Sequence, residues 1–388
     1  MNHLMRFQII IMNKIELVVS EVKTKKDKRE FIAFPIKLFK NVKYYSPCFH
    51  MDEVKVLNGT SQYSKESLSY FLIARRGKKV VGRLSVIIQK RYNEKSSLKQ
   101  ARFTRFDVID DIEVSKALFA KGEEWARRQG MDTIVGPLDY SDFEREGLLI
   151  EGFDEYMTFE EQYHPPYYQK HIEALGFVKD VDWYEFQISK DEEAKKNITK
   201  LANAVRRFSK VHLANTNMSK KKYLNKYKNQ FFEVINECYK DLYGTTIFTT
   251  EAMDDMIRNF SPLLLPKYIP MVVDENDRVV ATAIVFPSIS KIIKRSKGRL
   301  TPFAILSLLK TVKKPKVIDL GLIAVRPEYQ KTGINALFLE GMYKLLDEGV
   351  EFCETNLNLE TNTAVITQWK HFNARQHKKR RCYTKPLF

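Results

Sequence analysis

The stretch PKVIDLGLIAVRPEYQKTGINALFLEGMYKLL, residues 315–346, has the pattern of a strand, a turn and a helix. Val317–Val325 is an apolar, β-branched run long enough for one strand, and residues 326–332 form a short polar turn. Gly333 then opens a segment with apolar residues at helical spacing, namely Ile334, Leu337, Phe338, Met342 and Leu345. The unpaired N–H groups and the dipole at the start of such a helix favour anion binding in the turn. An ordinary structural βα unit has the same pattern, so both interpretations stay open at this point.

Length and composition indicate a two-domain globular protein. The chain has 388 residues, of which 44% are hydrophobic and 12% aromatic. Its formal net charge of +17 suits an anionic partner such as nucleic acid, an anionic membrane surface or a polyphosphate ligand. A lysine-rich, solvated surface is the alternative explanation. The sequence contains no nucleic-acid recognition motif, which argues against nucleic acid as the partner.

The four cysteines, Cys48, Cys238, Cys353 and Cys382, are far apart in the sequence and form no C-x-x-C pair. We therefore expect neither a metal site nor a disulfide framework, and we expect a reducing, cytoplasmic environment. The apolar run Phe7–Met12 is too short for a membrane span and lacks the cleavage site of a signal peptide. The sequence thus predicts a soluble protein, or one attached peripherally to the inner face of the membrane.

Two hairpin patterns indicate an internal repeat. Residues 70–88 and 271–286 each contain two apolar runs around a polar turn. In both halves a loop, a strand, a helix and another strand follow the hairpin. Before the first hairpin, residues 44–57 have the pattern of a loop. The simplest interpretation is two copies of one α/β unit, residues 1–189 and residues 190–388.

The turn in the opening stretch resembles a known ligand-binding loop. Residues 325–334, VRPEYQKTGI, are similar to the acyl-CoA pyrophosphate loop of the GNAT superfamily of N-acyltransferases. Gln330 and Gly333 match the pattern of that superfamily, whereas Asn335 stands where a small residue is usual. The resemblance implies a set of residues that bind coenzyme A (CoA): Ile323, Ala324, Val325, Gln330, Lys331, Thr332, Gly333, Ile334, Asn335 and Asn362.

A series of short motifs in the first half narrows the resemblance. It is similar to the signature of a bacterial double-GNAT family that includes the bacterial ceramide synthases, and it consists of Gly136-Pro137, EGLLIEGFD at residues 146–154, PPYY at 165–168 and LGF at 175–177. Asp139 and His164 depart from that signature, since asparagine is usual at both places. The likeness covers about residues 17–387. It implies an α/β fold of two tandem GNAT units, each with a mixed, mostly antiparallel sheet and flanking helices.

The resemblance also implies an activity, the transfer of an acyl group from acyl-CoA or acetyl-CoA to an amine. The implied acceptor is an amphiphilic amine of the sphingoid type, and the residues expected to contact it are Glu146, Asp154, Tyr167 and Tyr168. Two other functions stay open. One is an N-acetyltransferase for a small amine or a protein amine, and the other is a catalytically silent protein that binds CoA or a partner. The sequence does not predict the oligomeric state.

Amide formation requires a base, because the amine must lose a proton to attack a thioester. Two carboxylates are candidates for this role. Asp319 lies in the strand before the loop, at a place where a carboxylate serves as the base in several GNAT enzymes. Glu360 lies between a later strand and the next helix, where the family pattern also has a glutamate. The sequence favours Glu360 slightly over Asp319 as the base.

Acidic residues distinguish the first unit from the second. The turn that corresponds to the CoA loop spans residues 107–113, and it has no glycine but four acids, Asp107, Asp110, Asp111 and Glu113. Their negative charge would repel a pyrophosphate. We therefore expect CoA in the second unit and the acceptor or acyl pocket in the first.

Two basic segments of the second half have more than one interpretation. Residues 291–316 carry nine Lys or Arg, and Thr301–Val312 within them has the pattern of an amphipathic helix. Such a helix suits an anionic membrane surface or an acyl chain, but a helix that faces the core would explain the pattern equally well. The run Lys378–Arg381 is expected either to steer anionic ligands or to be a solvated strand end.

Overall fold

The structure is a computed structural model, and it describes residues 15–388 except 142, 143, 246, 248, 262 and 371. The run Phe7–Met12 lies outside the described residues. The chain is divided into two compact units. The first unit comprises the chain up to residue 182 together with residues 293–299 and 380–388, and the second comprises residues 183–292 and 300–379.

The first unit is built on a mostly antiparallel sheet. Its strands are β1 (Leu17–Glu21), β2 (Ser67–Arg76), β3 (Lys79–Gln89), β4 (Gln100–Val108), β5 (Thr133–Gly136) and β6 (Leu148–Glu151). Its helices are α1 (Lys25–Leu38), α2 (His50–Leu57), α3 (Lys90–Ser96), α4 (Ile112–Arg128) and α5 (Tyr167–Ala174). The strand order is β1-β2-β3-β4-β5, and the end of the C-terminal strand pairs with β5. Strand β7 (Val178–Ser189) leads into the second unit.

The second unit repeats this plan. Its strands are β8 (His212–Leu213), β9 (Met271–Val273), β10 (Val279–Pro287), β11 (Val317–Val325), β12 (Phe352–Thr355), β13 (Asn358–Leu359) and the C-terminal strand β14 (Asn373–Pro386). Its helices are α6 (Glu192–Phe208), α7 (Lys220–Tyr239), α8 (Thr250–Phe260), α9 (Ser290–Ser296), α10 (Pro302–Lys313), α11 (Asn335–Asp347) and α12 (Thr363–Trp369). The strand order is β7-β12-β11-β10-β9-β8, and β13 also pairs with β7.

The two units share their hydrogen-bond pattern as well as their order of elements. In each, a hairpin (β2-β3 or β9-β10) is followed by one more antiparallel strand, a helix and a parallel strand. Each also has a register shift between the hairpin and the next strand, after Arg83 in the first unit and after Ile284 in the second. The prediction of two tandem α/β units with mixed, mostly antiparallel sheets is therefore confirmed.

Short polar side chains fix where the long helices begin. Asp111, Asp191, Ser219 and Thr301 each accept a hydrogen bond from a backbone N–H in the first turn of α4, α6, α7 and α10, respectively. Such caps replace hydrogen bonds that the helix itself cannot make and stabilise each helix by about 1 kcal/mol.

Helix α2 is a departure from the predicted loop at residues 44–57. It buries Val56 and Leu57, and on the same helix it buries Glu53, whose carboxylate lies 2.9 Å from Arg105 Nε and 3.2 Å from Arg83 Nη1. A helix of eight residues that buries a charged side chain has no regular apolar stripe. The arginines that pair with Glu53 are distant in the sequence, so the pattern did not reveal the helix.

In the first unit, backbone and side-chain contacts fill the region just beyond the last parallel pair of β4 and β5. The last such pair is Arg102 with Val135, and Leu138 N–H then donates to Phe103 O at 2.9 Å. Tyr168 is fully buried beside it, and its hydroxyl accepts from Val108 N–H at 2.8 Å. An added Cβ at Gly136 would lie 2.4 Å from Phe103 O, which shows how closely the backbones of β5 and β4 approach.

A buried network of charges fills the same region. Arg83 donates to Asp107 at 2.7 Å, and Arg105 donates to Asp139 at 2.9 Å, while Glu53 joins the two arginines. Arg105 sits at the register shift of β4 with a φ of 50°, a conformation that non-glycine residues rarely adopt. These five buried charges, two arginines and three carboxylates, satisfy one another in good geometry, so the network tolerates burial.

The two departures from the family signature fit this interior. Asp139 supplies the carboxylate that pairs with Arg105, which an amide could not neutralise. His164 is buried, and its Nδ1 accepts from Leu149 N–H at 3.1 Å. Burial, together with the nearby Arg380 and Arg145, lowers the pKa of His164, so the ring is neutral and serves as a hydrogen-bond acceptor.

We expect Glu53→Gln to lower the free energy of unfolding by about 3 kcal/mol at neutral pH. Burial alone would raise the pKa of Glu53, but Arg105 and Arg83 outweigh it and lower the pKa from 4.5 to about 2. Because the folded-state pKa is depressed, this stabilisation is complete above about pH 4.5 and is lost as the pH falls towards 2. Urea unfolding at several pH values measures it.

Glu124→Gln is the matched control, because Glu124 pairs with Arg128 on the exposed face of α4. Exposed pairs contribute little, so we expect a change within about 0.5 kcal/mol. Equal destabilisation by the two variants would contradict the buried network.

Candidate functional site

A gap opens in the sheet of the second unit where β11 and β12 separate. Their parallel pairing runs from Val317 with Phe352 to Leu320 with Thr355, and Asn356 N–H still donates to Leu320 O at 3.0 Å. Beyond this point β11 continues to Val325 alongside β10, whereas the segment that follows β12 turns away into β13 and pairs with β7. The end of β11 and the segment at β13 thus form the two walls of the gap.

Gly321 produces this geometry, because it is the extra residue at the register shift of β11. Ile284 pairs with Leu322 and Val285 pairs with Leu320, so Gly321 has no partner on β10. An added Cβ at Gly321 would lie 2.9 Å from the ring of Phe286 and 3.0 Å from Ile284 O. A bulge of this kind bends a strand and turns its backbone groups away from the ladder.

After the bulge, the backbone of β11 faces the gap at every second residue. Arg326 N–H donates to Val280 O of β10 at 2.9 Å, so the polar groups of Ile323 and Val325 point the opposite way. Their carbonyl oxygens accept from the Tyr239 hydroxyl at 3.1 Å and from the Cys238 thiol at 3.2 Å. Burial raises the pKa of Cys238 to about 11, which keeps the thiol protonated. The end of α7 therefore borders this edge, and the N–H groups of the same two residues point into the gap.

The predicted anion-binding loop follows β11 as a tight, ordered turn. Residues Pro327–Tyr329 form a 3₁₀ turn, Gln330 Nε2 donates to Val325 O at 3.2 Å, and Thr332 Oγ1 donates to Tyr329 O at 2.6 Å. Lys331 is exposed with a φ of 64°. Helix α11 begins at Asn335, as the helical spacing predicts to within two residues.

Gly333 has two reasons to be glycine. Its φ is 81°, and an added Cβ would lie 3.3 Å from Leu201 Cδ1 of α6. Asn335 begins the helix, and its Oδ1 is buried without a hydrogen-bond partner among the described residues. The predicted part of Ile334, Asn335 and the loop in binding CoA stays a prediction.

The candidate base Asp319 lies at the start of the gap. Its side chain is only 2% exposed, and it pairs in register with Phe286 of β10 and Glu354 of β12. Burial, reinforced by Asp319, raises the pKa of Cys353 on the neighbouring strand. Glu354 in turn accepts from Lys378 Nζ at 2.6 Å.

A buried cation holds this cluster together. Lys378 Nζ lies 2.7 Å from a Glu185 oxygen as well as 2.6 Å from Glu354, and His377 Nε2 lies 3.3 Å from Glu354. Glu185, Glu354 and His377 bring potential metal ligands within 4.8 Å of one another. However, the lysine ammonium already bridges the two carboxylates, which is the role that a metal ion would have there.

The other candidate base, Glu360, is on the opposite wall of the gap. It is half-buried and follows β13 directly. Asn358 fixes this segment, because its amide donates to Tyr184 O at 2.9 Å and its Oδ1 accepts from Trp369 Nε1 at 3.0 Å. Asn362, predicted to bind CoA, caps α12 by accepting from Val365 N–H at 3.3 Å.

The four residues predicted to contact the acceptor all lie in the first unit. Glu146 is buried, and Asp154 is exposed. The hydroxyls of Tyr167 and Tyr168 donate to Val108 O at 2.7 and 3.2 Å and fasten α5 to the end of β4. Contact between these residues and a substrate stays a prediction.

Two charge-based expectations need correction. Asp107 is not in a loop but inside β4, buried against Arg83, and Asp111 caps α4 and pairs with Arg76. Two of the four acids are thus paired with arginines rather than free in a loop, and the expectation that CoA binds in the second unit stays a prediction. Lys378 and Arg380 are buried, so the run 378–381 is neither an anion-steering surface nor a solvated strand end.

The comparisons with known proteins agree with this architecture. No protein-family model matches the chain. A tandem GNAT protein from the clavulanic acid biosynthesis pathway superposes with a TM-score of 0.57 at 13% identity, covering 96% of this chain and 99% of the other. The chain therefore has the fold of the tandem GNAT acyltransferases.

Two sequence relatives match this chain over nearly the whole length of both proteins. The bacterial ceramide synthase of Caulobacter vibrioides is 26% identical over 385 residues, 96% of this chain and 98% of the relative. Protein YghO of Escherichia coli is 25% identical over 398 residues, with both chains covered completely. The chain thus combines a tandem GNAT fold with similarity over nearly its whole length to a bacterial ceramide synthase.

Proposed function

We propose that the protein is an acyl-CoA-dependent N-acyltransferase, and that its acceptor is an amphiphilic amine of the sphingoid type. The gap beside Gly321 is the observation that carries the reaction, because it presents backbone N–H groups beside a buried carboxylate. The 26% identity to a bacterial ceramide synthase supports the choice of amine. The two rivals, acetylation of a small or protein amine and CoA binding without catalysis, are outcomes of the first test below.

The residues of the second unit support each step of acyl transfer. The start of α11 and Lys331 offer positive charge to the CoA phosphates. The amine nitrogen attacks the thioester carbon, and the N–H groups of Ile323 and Val325 stabilise the oxyanion that forms. The C–S bond then breaks and releases the amide and the CoA thiolate, which becomes the thiol by taking up one proton, in balance with the proton that the amine has lost.

We assign the base to Asp319, which takes the proton that the amine must lose. Its burial at the start of the gap excludes bulk water, and Lys378 nearby counterbalances the local negative charge. Glu360, on the opposite wall and half-buried, is suited to attract the amine as its ammonium form. The two carboxylates therefore have separable kinetic effects.

The CoA site is tested with Gly333→Glu, measured by calorimetric titration with CoA. We expect CoA affinity to fall by about tenfold or more, since a side chain and a negative charge enter the anion-binding loop. Gly349→Glu is the control, because Gly349 also has a positive φ but lies beyond the other end of α11. Equal affinity in the two variants would contradict the loop assignment.

The reaction itself is tested by thiol release, with acetyl-CoA and palmitoyl-CoA each offered to a sphingoid base, a small amine and a lysine peptide. Turnover with the sphingoid base supports the proposal. Turnover limited to acetyl-CoA with the small amine or peptide favours the first rival, and CoA binding without thiol release favours the second.

The base assignment predicts different defects for two variants in the same assay. Asp319→Asn should lower kcat by about 10²–10⁴-fold, because the base is lost. Glu360→Gln should mainly raise KM for the amine, because only binding is weakened. The reverse pattern would assign the base to Glu360.

Helix α10 supports peripheral contact with an anionic membrane. One stripe, Ala304, Leu308 and Val312, is buried, whereas Phe303 and Leu306 on the other side are 72% and 67% exposed. The sequence has no Asp or Glu between Asp277 and Asp319. An exposed apolar face in a purely cationic segment fits the surface of a bilayer with anionic headgroups. None of the helices in the described ranges has the length and hydrophobicity to cross a membrane.

Vesicle sedimentation tests this contact. The protein should bind vesicles of phosphatidylglycerol and phosphatidylcholine, and the double variant Phe303→Ser, Leu306→Ser should bind about tenfold less, since two apolar side chains no longer insert. Phe208→Ser is the control, because Phe208 is 76% exposed on α6. Equal binding of all three proteins, or no binding by any, would contradict the contact.

A further inference from the structure

The last turn of α7 occupies the edge of β11 that faces the gap. The Tyr239 hydroxyl donates to Ile323 O at 3.1 Å, and the Cys238 thiol donates to Val325 O at 3.2 Å. A strand edge that lacks a neighbouring strand is a template for the amide groups of a ligand. Here two side chains of the protein itself hold the carbonyls of that edge, so a ligand that pairs with β11 must displace them.

The chain then crosses the gap, and we call residues 238–245 the crossing segment. The ring of Tyr243 packs edge-to-face on Trp183 of β7, with centroids 5.9 Å apart. Trp183 pairs in register with Leu359 of β13, which belongs to the opposite wall of the gap. Gly244 follows with a φ of 76°, a conformation that glycine adopts readily in a tight turn. The crossing segment is therefore tied to both walls of the gap.

The crossing segment lies on the face of the sheet that carries Asp319. Residues paired across neighbouring strands point to one face, and so do residues two apart along a strand. Asp319 pairs with Glu354, and Glu354 pairs with Gln187 of β7. Trp183 is four residues before Gln187 on the same strand, so it points to this face as well. Tyr243 packs on Trp183 from that side.

We propose that the crossing segment is a lid that opens to admit the reactants, an inference that rests on the proposed function. In the closed state it holds the carbonyls of Ile323 and Val325, and Asp319 is only 2% exposed although the amine must reach it. The lid is tied by two side-chain hydrogen bonds and one ring contact. So few contacts allow a segment to open locally while the rest of the protein stays folded.

Cys238 reports the opening of the lid without any substrate. Burial raises the pKa of its thiol to about 11, and alkylation requires the thiolate, so iodoacetamide should label Cys238 mainly in the open state. Tyr239→Phe keeps the ring but loses one hydrogen bond, and Tyr243→Leu loses the ring contact with Trp183. Each variant should raise the labelling rate of Cys238 by about fivefold, measured by peptide mass spectrometry.

Tyr227→Phe is the matched control. Its hydroxyl also belongs to α7, but it donates to Asp277 in the turn of the β9-β10 hairpin at 2.9 Å. Cys353 in β12 is fully buried, so its labelling in the same samples measures global unfolding and should not change. No faster labelling of Cys238 in either lid variant, or an equal increase in Tyr227→Phe, would overturn the proposal.

Turnover gives a second readout, measured by thiol release with palmitoyl-CoA and sphinganine. With both reactants far below saturation, the rate depends on the fraction of protein whose lid is open. Tyr239→Phe and Tyr243→Leu should therefore be about fivefold faster than the unmodified protein. With both reactants saturating, the difference should vanish, because a tie takes no part in the chemistry. A slower rate at saturation in Tyr239→Phe would overturn the lid, since it would make the hydroxyl catalytic.

The two readouts separate this inference from the proposed function. If the unmodified protein releases no thiol with any amine, but Cys238 is labelled faster in the lid variants, the lid is correct and the proposed reaction is wrong. If thiol is released, but Cys238 is labelled equally fast in the unmodified protein and both lid variants, the lid is wrong and the proposed reaction stands.

Discussion

The second unit depends on one local constraint, the extra residue that Gly321 adds to β11. A strand with one residue more than its partner must bend, and here the bend coincides with the last parallel pair, Leu320 with Thr355. The gap, the direction of the N–H groups of Ile323 and Val325, and the place of Asp319 at the start of the gap all follow from it. No larger side chain fits at this position without moving Phe286 or Ile284.

The first unit has the same strand order and the same kind of register shift, but a different residue lies at the shift. There Arg105 occupies the shift, and its guanidinium reaches Glu53 and Asp139. The region that is open in the second unit is thus closed by paired charges and by tyrosines bonded to Val108. One backbone plan gives a gap where the bulge residue is glycine and a filled interior where it is arginine.

How much the sequence could predict depended on the distance between interacting residues. The strand Val317–Val325 was predicted without error and the start of α11 to within two residues, because each has a local periodicity. Helix α2 was missed, since Glu53 has its partners 30 and 52 residues away. Gly321 was read as one more residue of an apolar run, because a bulge is defined by the register with β10.

Buried charges were the largest source of error in the predicted site. Lys378 looked like part of a basic surface, but its partners Glu185 and Glu354 are 193 and 24 residues away in the chain. In a folded protein a lysine is buried only where carboxylates receive it, and a single sequence does not show where those carboxylates lie. The turn before α11, by contrast, was predicted, because a tight turn before a helix is a local requirement, whereas its part in binding CoA stays a prediction.

These pairings also change the meaning of the net charge of +17. Arg83, Arg105 and Lys378 are neutralised inside the protein by Asp107, Glu53, Asp139, Glu185 and Glu354, so they contribute no outward field. The ten Lys and Arg between Asp277 and Asp319 have no acidic residue among them. Two of them pair with distant acids, Arg278 with Glu328 and Lys316 with Glu351. Basic residues are nevertheless dense in the sequence around α10, which also carries the exposed Phe303 and Leu306. The proposed contact with an anionic membrane would use this surface, because anionic headgroups attract its cations and its exposed apolar side chains can insert.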